Sequence, residues 1–152
     1  DPITLGHVDL VRRAAGLFDR LILAVAAGHH KRTMFSIGER LDMAREVAKA
    51  YPRVDVLPFD GLLRDFVVHN HGHAVVRGVR GVTDFEYEFQ MAGMNRHLMA
   101  DVETIFMMPS DQFQFVSSTY VREIATLGGD VSRFVAPSVL QRLKERVANP
   151  AG

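Results

Sequence analysis

The chain has 152 residues, 47% of them hydrophobic, which suits one domain with a full core and is too short for two of ordinary size. Eighteen basic residues balance eighteen acidic ones, which excludes a global field for nucleic acid or an anionic membrane, so an anionic ligand needs a local cluster. The absence of cysteine excludes disulfides, thiolate catalysis and the usual structural zinc sites, and the longest apolar run, residues 21–27, is far below a membrane span. The expectation is a soluble, cytoplasmic, single domain over residues 1–152, with no nucleic-acid or membrane partner.

Asp1-Pro2-Ile3-Thr4 reads as a turn entering a helix over residues 7–18, with Val8, Val11, Ala14 or Ala15, and Phe18 on one face. Residues 21–25 form a near-continuous apolar strand, the pattern of a parallel strand covered on both faces. Ser36 with Glu39 three residues later is a capping-box signature for a helix that runs through residues 40–50 and stops at Pro52. Val54, Val56 and Leu57 mark a second strand, residues 62–68 a helix, residues 74–76 a third strand and residues 82–99 a long helix. A fourth strand at 105–108 ends at Pro109. A helix opened by Ser117 breaks at Gly128-Gly129, and Pro137 fits the first turn of a last helix ending near Val147.

This alternation implies an α/β fold, a doubly wound parallel sheet with helices on both faces and a C-terminal helical segment. Ligands of such sheets bind beyond the C-terminal strand ends. His29, His30 and Lys31 follow the first visible strand, Arg77 and Arg80 the third, and Ser117, Ser118 and Thr119 the fourth, so one site is expected. Such a fold normally opens with a central strand, and none precedes Asp1. The natural protein is therefore expected to carry about ten more residues there, a short strand and a glycine-containing turn, and a chain without them a gap at the sheet centre.

Two motifs stand at helix openings, Thr4-Leu5-Gly6-His7 and Val116-Ser117-Ser118-Thr119-Tyr120-Val121-Arg122. Free N–H groups and the positive dipole end at such places attract phosphate oxygens. His7 is a candidate donor to a phosphate oxygen that gains charge, and Gly6 would let the backbone come close. Arg77-Gly78-Val79-Arg80-Gly81 reads as a compact anion-binding turn, and Lys31 as a mobile point charge or a solvated loop residue at even odds. Asp84, Glu86 and Glu88 complement a helix dipole, and one of them could accept from a ribose or a base. Val82, Phe85, Phe89 and Ala92, beside Met91, Met94 and Leu98, make an apolar surface wide enough to suggest a subunit interface, interrupted by Asn95. His69, His71 and His73 are read as a polar loop rather than a metal site.

The two motifs resemble the T/H-x-G-H and S-S-T-x-x-R pair of nucleotidyltransferases. With Lys31, the Arg77-to-Gly81 run, Asp84-Phe85-Glu86-Tyr87-Glu88 and Met94-Asn95-Arg96-His97-Leu98-Met99 in this order, nearly the whole chain resembles the phosphopantetheine adenylyltransferases. That resemblance implies a Rossmann-like fold, adenylyl transfer from ATP to 4′-phosphopantetheine in coenzyme A synthesis, magnesium with the ATP, and a homohexamer. Coenzyme A is implied as a product-like inhibitor. It further implies that His7 and Lys31 are catalytic, and that Lys31, Leu63, Arg77 and Asn95 bind phosphopantetheine. ATP would be met by His7, Gly78, Val79, Arg80 and Glu88, and by the segment Phe113, Gln114, Phe115, Val116, Ser117, Ser118 and Thr119. No metal ligand from the protein is implied. His29 and His30 depart from the family pattern, and its Gly-Thr-Phe turn would precede Asp1. Other transferases of the superfamily, a synthetase fragment and a non-catalytic nucleotide-binding module are the alternatives.

Overall fold

A computed structural model describes residues 1–28 and 33–149. Helix α1 (Leu5–Leu17) starts two residues before the sequence predicted, because Thr4 acts as its N-cap. Strand β1 (Leu21–Ala26) is followed by α2 (Ile37–Ala48), which Ser36 and Glu39 open as predicted. The Ser36 N–H donates to Glu39 Oε2 at 2.7 Å, and the Glu39 N–H to Ser36 Oγ at 3.3 Å. Strand β2 (Val54–Phe59), α3 (Leu63–His69), β3 (Ala74–Gly78) and α4 (Val82–Leu98) follow. Then come β4 (Glu103–Met107), a single 3-10 turn (Asp111–Phe113), α5 (Ser118–Thr126) and α6 (Pro137–Ala148).

The strands pair in parallel, as the alternation requires. Leu21 to Ala26 of β1 face Val54 to Phe59 of β2, and Ala74 to Gly78 of β3 face Glu103 to Met107 of β4. Among the described residues no ladder joins the two pairs. Helix α1 packs on both β1 and β3 and so spans them. No residue of β1 is fully buried, in contrast to the doubly covered strand its apolar run predicted; among the described residues it is hydrogen-bonded to β2 alone.

The main core lies instead among the helices. Phe35, Met43, Val121, Val131, Val139 and Leu143 are each 2% exposed or less and form one cluster across α2, α5 and α6. Phe113 and Ile3 pack on its edge, so the chain leading into α1 and the segment leading into α5 rest on the same support. Helix α4 buries none of its residues in this chain. No helix of the described residues is long and apolar enough to cross a membrane.

Candidate active site

The first turn of α1 presents His7. The Thr4 N–H donates to His7 Nδ1 at 3.1 Å, and Thr4 Oγ1 lies 2.8 Å from the same nitrogen. A nitrogen that accepts an N–H must hold its lone pair, so the ring proton sits on Nε2 and can be donated outward. Desolvation lowers the His7 pKa to about 4, helped by the positive charge of Arg80. The residue still keeps a solvent-open face. Its neutral form is secured independently by the buried Thr4, which is 1% exposed.

A Cβ on Gly6 would make only ordinary contacts, 3.5 Å from Thr4 Oγ1 and 3.8 Å from Phe113 Cβ, so packing does not demand glycine there, and the helix start lies alongside Phe113. A Cβ on Gly78 would collide with Leu10 Cδ1 of α1. Glycine at position 78 thus leaves room for the end of the Leu10 side chain, which would have to turn away from any larger residue. Because β3 continues through Gly78, Arg77 is a strand residue, and the predicted turn shrinks to Val79, Arg80 and Gly81.

The arginines are held by acids of α4. Arg77 Nε and Nη2 each donate to one oxygen of Glu88 at 2.7 Å, a bidentate pair. That hydrogen bonding raises the Arg77 pKa above its usual value against the cost of burial. Residues assigned to different substrates by resemblance thus bond each other. Arg80 Nε donates to Asp84 Oδ2 at 2.8 Å, and the Arg80 bonds hold the Asp84 carboxyl below the usual range despite desolvation. Asp84 lies in the first turn of α4, as its dipole-complementing role requires, and binds Arg80 as well, whereas Glu88 sits beyond that turn and its partner is the Arg77 guanidinium.

Arg80 also reaches across the site. Its Nη1 donates to the Val116 carbonyl at 3.0 Å, one residue before the Ser117 cap of α5, and the Gln114 side-chain amide donates back to the Arg80 carbonyl at 3.4 Å. The first intrahelical bond of α5 runs from the Val121 N–H to the Ser117 carbonyl at 2.9 Å. The amides of Ser118, Thr119 and Tyr120 therefore precede the helical ladder, which suits an anion. The side chains are less uniform than the sequence suggested. Ser118 Oγ donates to the Pro2 carbonyl at 2.8 Å, so this hydroxyl anchors the N-terminal turn, while Ser117 and Thr119 make no such bond among the described residues. Phe113 packs inward, Val116 is buried, and Phe115 is 89% exposed.

Arg122 follows Ser118 in this role. Its Nη1 lies 3.2 Å from Asp1 Oδ1, and Asp1 Oδ2 accepts the Phe35 N–H at 2.8 Å. Leu63, the first residue of α3, and Asn95, on α4, are both half-buried, but no side-chain hydrogen bond among the described residues ties either to the arginine cluster. Lys31, with His29 and His30, lies outside the described residues. His69, His71 and His73 join no group of three metal-ligating side chains among the described residues. Two open recesses, of about 230 Å³ beside Arg146 and about 290 Å³ beside Tyr51, contain none of the predicted site residues.

The sequence reading missed Asp9. This carboxylate is 4% exposed and accepts the Ser110 N–H at 2.9 Å and the Ser110 hydroxyl at 2.9 and 3.0 Å. Arg12 Nη2 donates to it at 2.8 Å, and Arg13 lies 3.6 Å away while donating to the Met108 carbonyl. Burial opposes its ionisation, but the Ser110 and Arg12 bonds outweigh that and hold its carboxyl below the usual range. Arginines three and four residues after Asp9 were the available signal.

The first turn of α1, the Arg80 turn and the start of α5 thus share one corner of the molecule. Residues 1–124 match the cytidylyltransferase-like family. A phosphopantetheine adenylyltransferase from Paraburkholderia xenovorans is 62% identical over 97% of this chain and 86% of its own length. One from Cupriavidus taiwanensis is 60% identical over 99% and 93%, and one from Bordetella avium 62% over 96% and 87%. The chain belongs to the phosphopantetheine adenylyltransferase family. Members of this family are nucleotidyltransferases, so the chain is that of an enzyme, and this corner is its candidate active site. A non-catalytic binding module and a synthetase fragment are set aside by identity of this extent.

Proposed function

We propose that this protein transfers the adenylyl group of ATP to 4′-phosphopantetheine, giving dephospho-coenzyme A and pyrophosphate. The observation that carries the reading is Arg80, whose guanidinium bonds both Asp84 and the Val116 carbonyl and so brings the basic turn to the phosphate-binding start of α5.

The chemistry asks little beyond alignment and charge. A phosphate oxygen of the acceptor attacks the α-phosphorus in line with the departing pyrophosphate, and being ionised already it needs no general base. His7 donates its Nε2 proton as a hydrogen bond to an α-phosphate oxygen whose charge grows in the transition state. The amides at the start of α5, with the Ser117 and Thr119 hydroxyls, hold the β- and γ-phosphates. Gly78, Val79, Arg80 and Glu88 line the nucleotide, while Lys31, Leu63, Arg77 and Asn95 serve the acceptor. Magnesium, when bound, would serve as the counter-ion of the triphosphate and offset its charge. The described residues offer no cluster of three acids or histidines to hold it, and Asp9, Asp84 and Glu88 are bonded to protein groups, so no step runs through the metal.

Two wider features belong to the same reading. Coenzyme A competes as a product-like inhibitor, and the protein works as a cytoplasmic homohexamer. Support for assembly comes from α4, where Val82 (76%), Tyr87 (62%), Phe89 (62%) and Met94 (63%) are exposed in the single chain. Pyrophosphate release from ATP, measured with and without phosphopantetheine, tests the function. Release with phosphopantetheine alone among a panel including nicotinate mononucleotide and glycerol 3-phosphate is the expected result. Release with one of those acceptors instead would overturn it.

A further inference from the structure

Asp9 is the most buried acid of the described chain that the reaction above leaves without a task. Its surroundings are specific. It lies two residues after His7, on the same helix, and its partner Ser110 caps the 3-10 turn that leads into the 113–119 segment. All three polar contacts with Ser110 span 101 residues of sequence. Arg13, four residues on, takes the Met108 carbonyl just ahead of Ser110. One face of α1 thus grips the chain where it leaves β4.

We propose that Asp9 is a positioning residue that sets the triphosphate-holding start of α5 against the His7 end of α1. The inference rests on the adenylyl-transfer reading, since it assigns His7 and the start of α5 to opposite parts of one ATP. His7 works at the α-phosphorus and the α5 amides hold the phosphates beyond it, so their separation must match a fixed length of triphosphate. A rigid helix carries His7, whereas residues 108–117 are loop and single-turn structure, whose placement depends on such anchors. Asp9 provides the anchor with a carboxylate accepting from a backbone N–H and a hydroxyl, and Arg12 completes it from the solvent side. Errors of about 1 Å in such alignment cost up to about a hundredfold in rate.

Asparagine at position 9 keeps the shape but turns an NH2 toward one of the Ser110 donors. Asp9→Asn is therefore expected to lower kcat by about tenfold or more while ATP affinity, by calorimetry, changes less than about threefold. Arg12→Ala leaves the Ser110 bonds intact, with Arg13 still 3.6 Å from the carboxylate, and is expected to lose less kcat than Asp9→Asn. The deciding measurement is a cycle with His7. If Asp9 acts by aligning ATP on His7, the His7→Ala/Asp9→Asn protein should turn over about as fast as His7→Ala alone. Ser110→Ala, which keeps the N–H contact, supplies a milder kcat loss should Asp9→Asn fold poorly. Amide exchange gives a readout without turnover: residues 110–119 should exchange faster in Asp9→Asn while α6 remains unchanged. Wild-type kcat in Asp9→Asn, independent multiplication of the two losses, or unchanged exchange at 110–119 would each overturn the proposal. A wild-type protein that releases no pyrophosphate with phosphopantetheine refutes the functional reading instead, and the exchange result still judges the anchor.

Discussion

At the scale of single residues, the hydrogen bonds decide what each charged or polar group is free to do. His7 gives its Nδ1 to Thr4 and so offers Nε2–H to a ligand. His7→Ala is expected to lower kcat by about a hundredfold or more with a smaller change in ATP binding. Near-normal turnover would reduce His7 to a helix-capping residue. With its pKa lowered to about 4, the ring should stay neutral through the ordinary histidine range. Its NMR shifts are thus expected to remain flat from pH 8 to about 5, whereas a free histidine titrates near 6.5. The arginines divide by neighbour. Lys31→Ala and Arg77→Ala should chiefly weaken phosphopantetheine binding, and Arg80→Ala, which also releases the Val116 carbonyl, should chiefly weaken ATP. Calorimetric titration of both ligands checks this, and equal losses in all three variants would refute the division.

At the scale of elements, the local signals were legible and the distant ones were not. Ser36 with Glu39, Pro137 at the first turn of α6, and Gly128 at a φ of +83 after α5 each act within a few residues of themselves, so sequence alone located those helix ends. Strand β3 ran two residues beyond the apolar triplet because its ladder with β4 extends to Gly78 opposite Met107, a pairing no local pattern encodes. The motifs of the site were readable as residue types. Their bonding was not: Arg77 meets Glu88 across 11 positions, and Asp9 meets Ser110 across 101. The helical core was equally non-local, assembled from α2, α5 and α6. Leu143, 1% exposed at its centre, is the place to test its weight. Leu143→Ala is expected to cost about 2–5 kcal/mol in a denaturant titration. A loss below about 1 kcal/mol would show that the α5–α6 region contributes little to cooperative unfolding.

At the scale of the whole molecule, acid should act on several anchors together. Asp9, Glu39 and Asp84 all have carboxyls held below their ordinary values, so each contributes stability that is full above its unfolded pKa and is lost as pH falls through the folded one. His7 adds to the same slope, because its unfolded form takes a proton near 6.5 while the folded form resists until about 4. Thermal midpoints should therefore fall from about pH 6.5 downward, and Asp9→Asn should flatten part of that fall. An acid limb identical in wild type and variant would contradict the assignment to Asp9. One feature of α4 reaches further. Within its own chain this helix is held by the Arg77–Glu88 and Arg80–Asp84 pairs and by the Phe85 ring lying 5.5 Å from Phe106, while its apolar sides remain open. Arg77, Arg80 and Glu88 among these tethers are the groups proposed to meet the substrates. A neighbouring subunit that clasps α4 would then steady the guanidinium groups from behind, and a subunit that departs would loosen them. In the proposed assembly, catalytic competence would be a property shared between subunits, so turnover per subunit should decline as the enzyme is diluted, well before any single chain unfolds.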